Sequence, residues 1–118
     1  MMTEQLLDEA VLNELREDTE VDDITPFLII FMTELKGRCA AISTAAAAGD
    51  LVALGHEIHT LKSGAASFGA QPLYALAVDI NACCKRDDLA AALVRLEALL
   101  SCAKATLATL EQRCSYLP

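Results

Sequence analysis

The chain has 118 residues, 54% of them hydrophobic, with a net charge of −8 and a pI near 4.5. That length suits one domain around one core, and the acidic balance argues against nucleic acid, which is bound through clustered Lys and Arg. The longest apolar run, Pro26 to Met32, is too short to cross a bilayer, and the acidic opening "MMTEQLLDEA" lacks the regions of a signal peptide, so a cytoplasmic protein without membrane attachment is expected.

Glycine and proline are scarce, Ala and Leu dominate, and no stretch alternates with period two, so the expected elements are all helices. A short amphipathic helix is predicted over Glu4–Glu17, with Leu7, Val11, Leu12 and Leu15 in register. The second runs from about Asp23 to Ala48. Asp23 or Thr25 suits its cap, Pro26 its first turn, and Ile24, Leu28, Phe31, Leu35, Cys39 and Ile42 its apolar stripe. Gly49 stops it and Asp50 can cap the third, Leu51–Phe68, whose seam is Leu51, Leu54, Ile58, Leu61, Ala65 and Phe68. Gly69 ends that helix. The fourth spans about Pro72 to Arg86, with Leu73, Leu76 or Ala77, Ile80 and Cys84 inward. Asp87 or Asp88 caps the fifth, which reaches about Gln112 through Leu89, Leu93, Leu96, Leu100, Ala103, Leu107 and Leu110.

One apolar stripe on each of the four longer helices, with short connections, predicts an all-α antiparallel up-down four-helix bundle over residues 1–118. The N-terminal helix would pack across one end. The run "PFLIIFM" holds more hydrophobes than one core face needs, so some of Phe27, Ile30 and Met32 are expected at the surface or under the first helix. The five cysteines are odd in number and form no CxxC, which fits reduced, structural thiols.

Both histidines, His56 and His59, fall in the stretch "HEIHTLKSGAASFGA". At about 100° per residue, His59 lies roughly 125° from the mean direction of the third helix's seam, and His56 lies nearly opposite the core. Both should face solvent. Beside His59 on the helix surface stand Gly55, Lys62, Ser63 and Ala66. Apart from the lysine these are tiny, although surface positions normally take Glu, Lys or Gln, and Gly costs helix propensity. The small floor under one imidazole suits close approach by another macromolecule.

The residues alone leave several chemical readings. A metal site is poorly supplied: "HEIH" is one residue short of the i, i+4 histidine pair of HExxH, and Glu57 is rotated away. Acid–base catalysis needs a pocket that a slim bundle does not offer. Nucleophilic catalysis by a solvent-facing imidazole accounts for the position, the small neighbours and the cation together. Neutral histidine attacks well near pH 7, and Lys62 can offset phosphoryl charge.

"HTLKSGAASFGA", His59 to Ala70, resembles the signature of histidine-containing phosphotransfer (HPt) domains, including those of quorum-sensing relays. His59, Leu61, Lys62, Ser63 and Gly69 occupy matching positions, with Ser63 where Gly is commonest. The resemblance implies a relay intermediate without kinase activity. His59 would accept a phosphoryl group from the receiver-domain aspartate of a hybrid sensor histidine kinase and pass it to a response-regulator aspartate. It implies receiver domains as partners of an expected monomer, no cofactor on this chain, and Mg²⁺ only on the receiver. No Gly-rich nucleotide loop is present. HPt domains often place an amide or acidic side chain on the next helix to orient the imidazole, and Asn81 stands at that position. Gly55, Ser63 and Ala66 would form the docking floor. A bundle that binds receivers without transferring phosphate is the competing reading.

Overall fold

Each helix begins at a polar residue, a proline or both, and the positions follow the start signals closely. In the computed structural model, which describes residues 5–115, the elements are α1 (Glu9–Thr19), α2 (Thr25–Ala47), α3 (Leu51–Ser67), α4 (Gln71–Lys85) and α5 (Leu89–Ser115). No strand occurs among the described residues. The side chain of Asp8 accepts from Ala10 N at the start of α1, Asp50 from Ala53 N at α3 and Asp88 from Ala91 N at α5, each at 3.0 Å. Helix α2 starts differently from expectation. Its cap position is the buried Ile24, which makes no side-chain cap bond, and Asp23 accepts from Thr25 N instead. Prolines 26 and 72 occupy first-turn positions, where a missing N–H costs nothing.

Helix α2 packs on α3, α3 on α4, α4 on α5, and α5 back on α2, so four helices close a ring around one core. The core is Leu28, Phe31, Leu35 and Ile42 of α2, the seam Leu54, Ile58, Leu61 and Ala65 of α3, and Leu73, Ala77 and Ile80 of α4. The ambiguity at 76 and 77 resolves to Ala77, with Leu76 half-buried. Cys83 is buried beside Ile80, while Cys84 is only partly covered.

Helix α5 departs most from its expected stripe. Leu93 is 39% exposed, and the buried line instead runs Ala92, Leu96, Leu99, Ala103, Thr106 and Leu110. The observed line keeps the same 4, 3 alternation and shares Leu96, Ala103 and Leu110 with the expected one, but takes Ala92, Leu99 and Thr106 inward, so that Leu93, Leu100 and Leu107 fall on its flank. Thr106 is buried without penalty because its hydroxyl donates to Cys102 O at 2.8 Å.

The N-terminal helix starts later and ends later than its pattern predicts, and Glu4 lies outside the described residues. Leu7 is buried although it precedes the helix. What fixes α1 is the turn between α3 and α4. Asp8 N donates to Gly69 O at 2.7 Å. Gly69 has φ +69°, and a Cβ there would stand 2.9 Å from Asp8 O and 3.0 Å from Val11 Cβ. Glycine is therefore required twice at this position, by its dihedral and by the chain lying across it. At the same end of α1, Arg113 of α5 donates to Glu9.

Two indentations flank α3. On the α2 side, Ile30, Phe31, Glu34, Arg38, Leu61 and Phe68 are among the residues lining an apolar groove of about 250 Å³. Phe31 and Phe68 stack there, with centroids 4.5 Å apart and planes 5° apart. On the α4 side lies the hollow described next.

Candidate functional site

Both histidines are exposed, as their angular positions require. Their surroundings differ. His59 lines a shallow hollow of about 320 Å³ between α3 and α4, together with Leu51, Val52, Gly55, Asn81, Cys84 and Lys85. His56 does not line it. Among the described residues, no three His, Cys, Asp or Glu side chains are gathered where they could share a metal ion.

The hollow exists because α3 and α4 approach closely at Gly55. A Cβ on Gly55 would lie 3.3 Å from Cys84 Cβ, tighter than ordinary packing. Gly55 is therefore explained by helix–helix contact, whatever part it plays for a partner. Its absent side chain leaves space beside the imidazole on the same helix face. The neighbouring hydroxyls keep the floor low. Ser63 Oγ donates to His59 O at 3.3 Å, and Ser67 Oγ to Ser63 O at 3.1 Å. Both are turned back on the backbone rather than toward the ring. Ser63 and Ala66 are exposed.

Lys62 follows His59 on α3, but its side chain is half-buried rather than fully exposed, and it does not line the hollow. The cation that does is Lys85, in the last turn of α4. From sequence it reads only as a favourable charge at a helix C-terminus. A signal was available: Lys85 lies one turn beyond Asn81, on the same face of α4.

Asn81 is not the solvated polar residue that a position near a helix end invites. It is 6% exposed and lines the hollow with His59. Its side chain makes no hydrogen bond to His59 or to another described residue, and its amide atoms are not sealed from solvent. Cys84 completes this wall. Burial, with Cys83 adding to it, pushes its thiol pKa upward, so near neutral pH it is an uncharged thiol. Glu57, between the two histidines in sequence, pairs with Arg38 of α2 at 2.5 Å and serves the α2–α3 contact.

One apolar residue at the site was missed by the sequence analysis. Val52, on the hollow's rim, is 84% exposed. Of the surplus hydrophobes in "PFLIIFM", Phe27 and Met32 pack partly against the core, while Ile29 and Ile30 face solvent at 48% and 58%. Ile30 borders the α2-side groove and not the His59 hollow. No helix among the described residues is long and apolar enough to cross a membrane.

The site is thus an exposed imidazole on a helix, with a buried amide, a cation and a small-residue floor around it. The chain is 36% identical over 84 residues to "Phosphorelay protein LuxU" from each of two strains of Vibrio vulnificus, covering 71% of this chain and 73% of the relative. Its fold matches the crystal structure of histidine-containing phosphotransfer protein B from Pseudomonas aeruginosa with a TM-score of 0.88, at 25% identity, over 98% of this chain and 100% of the other. Residues 26–113, which include His59, Lys62, Asn81 and Lys85, match the model of the Hpt domain, and the chain belongs to that family.

Proposed function

We propose that this protein is a phosphorelay intermediate whose phosphoacceptor is His59. The observation that carries the assignment is the placement of His59, exposed on α3 and opening on a hollow walled by Asn81 and Lys85, while His56 lies outside that hollow. In the forward step an imidazole nitrogen attacks the phosphorus of a receiver's aspartyl phosphate. The N–P bond forms as the acyl O–P bond breaks, and the electron pair leaves with the aspartate carboxylate. The ring keeps its proton on the other nitrogen. Reversal of the step on a second receiver returns the phosphoryl group to an aspartate.

Histidine phosphotransfer as a class follows from family membership. The donor would be a receiver domain of a hybrid sensor kinase and the acceptor that of a response regulator. The likeness to LuxU favours a relay of the quorum-sensing kind. Lys62 is one turn from His59 and would offset phosphoryl charge. Mg²⁺ would be held by the receiver's carboxylates. Gly55, Ser63, Ala66 and Val52 would let the receiver approach the ring. The closed ring of α2 to α5 is read as an up-down antiparallel bundle, because connections over 48–50, 68–70 and 86–88 leave room only for reversal.

The test is transfer from phosphorylated receiver domains to the purified protein. Acid-labile, base-stable label is expected with wild type and His56→Gln and absent with His59→Gln. Label retained in His59→Gln and lost in His56→Gln would overturn the site. No label from any receiver would favour a bundle that binds receivers without transfer.

A further inference from the structure

The groove between α2 and α3 lies on the other flank of α3 from His59 and plays no part in the transfer proposed above. Its character changes along its length. Phe31 stacks on Phe68 toward one end and Arg38 pairs with Glu57 at the other, about 10 Å further along α2 at 1.5 Å per residue. Ile30, Leu61 and Gly64 add to the apolar lining. Packing does not demand a glycine at 64, because a Cβ there would make ordinary contact with Phe31 at 3.5 Å. Glycine inside a helix costs propensity, and here its missing side chain keeps the groove open beside the ring. Three polar residues line the groove, and two are engaged elsewhere. Arg38 donates to Glu57 at 2.5 Å, with its Nε sealed from solvent, and Thr60 Oγ1 donates to His56 O at 3.1 Å. Glu34 is exposed on the rim and makes no ion pair or side-chain hydrogen bond with another described residue.

We infer that this groove binds a small amphiphilic cation, an amine on a flat apolar body, with the body over Phe31, Phe68 and Gly64 and the ammonium paired with Glu34. The size fits. A volume of about 250 Å³ falls just below the ~300–1,000 Å³ of pockets that take drug-sized ligands, so a body of one or two rings is the match. The sign of the charge follows from what is left unpaired. Arg38 is neutralised by Glu57, so the one uncompensated charge lining the groove is a carboxylate. An anion would meet that carboxylate in a chain of net charge −8. A neutral body would take water from Glu34 and return nothing, whereas an ammonium supplies charge-assisted hydrogen bonds. The site does not rest on His59 as phosphoacceptor and stands or falls separately.

The experiment titrates the full chain with tryptamine, its neutral isostere indole-3-ethanol and its anionic counterpart indole-3-propionate, read by methyl NMR and by indole fluorescence, which the tryptophan-free chain does not contribute. Tryptamine should bind saturably with a Kd on the order of 1 mM or below. It should bind about three-fold or more tighter than the alcohol, and the propionate should bind more weakly than either. The methyls of Ile30 and Leu61 should shift, and those of Val52, on the His59 hollow, should not. Glu34→Gln should bring tryptamine down to the level of the alcohol, while Glu97→Gln, which removes an exposed carboxylate from α5, should leave the difference in place. Gly64→Leu should abolish binding of all three, and the surface change Glu34→Gln decides alone if that variant fails to fold. No saturable shift, shifts centred on Val52, equal binding of the three probes or equal losses in the two glutamine variants would each overturn the site. Displacement of tryptamine by a receiver domain, or by self-association of the chain through Ile30, would give the groove to a protein partner or a second copy and overturn it as well.

Discussion

The two sides of α3 carry indentations of similar size and opposite character. The α2 side is an apolar groove over the stacked Phe31 and Phe68. The α4 side is a shallower hollow walled by an imidazole, an amide, a thiol and an ammonium. Judged by enclosure and apolar lining, the first is the better binding site for a small molecule. Phosphoryl transfer between two proteins asks for something else: a nucleophile that another active site can reach, with charge to meet it. The lesson is that depth and reactivity separate on this helix. Its inward seam is spent on the core, one flank on packing against α2, and only the flank over Gly55 stays open to chemistry.

That division can be broken from either side. The largest effect belongs to the groove. Phe31→Ala removes a buried ring and its stacking partner's contact, and should cost about 3–5 kcal/mol in urea unfolding. Transfer per folded molecule should persist, and its loss would show that the two sides are mechanically coupled. Next comes Gly55→Leu, which must push α4 outward from a 3.3 Å approach. It should cost about 1–3 kcal/mol and also slow transfer by filling the hollow. Gly37→Leu is its control, since a Cβ there meets nothing within 4 Å. A Gly55 variant as stable as the Gly37 variant would remove the packing explanation. The smallest effect concerns surface apolarity. Val52→Ser should change stability by less than about 0.5 kcal/mol yet slow transfer from a phosphorylated receiver several-fold, while Ile30→Ser should do neither. Equal slowing by both would mean the receiver covers the groove as well as the hollow.

Much of the architecture was legible in the sequence because helix signals are local. Asp50 and Asp88 bond first-turn amides, Gly49 and Gly69 end helices, and the Leu54, Ile58, Leu61, Ala65 seam is buried as its spacing demands. The outward direction of His59 follows from the same periodicity. Helix α5 was read less well, because apolar neighbours such as Ala92 and Leu93 or Leu99 and Leu100 offer two adjacent stripes, and the pattern alone favours the larger Leu93 over the buried Ala92. The start of α1 was set by a contact distant in sequence, Asp8 on Gly69.

For the site, the sequence by itself determined the outward direction of His59, its small neighbours and the family signature, all within one helical stretch where position along the chain dictates position in space. Only the tertiary structure decided what faces them. Whether Asn81 is solvated or buried, whether Lys62 or Lys85 shares the hollow with His59, and whether Gly55 serves a partner or a neighbouring helix depend on the rotation and spacing of α4 against α3. Those are fixed by the packing of Gly55 on Cys84 and of the shared core, which are contacts between residues that no local pattern relates.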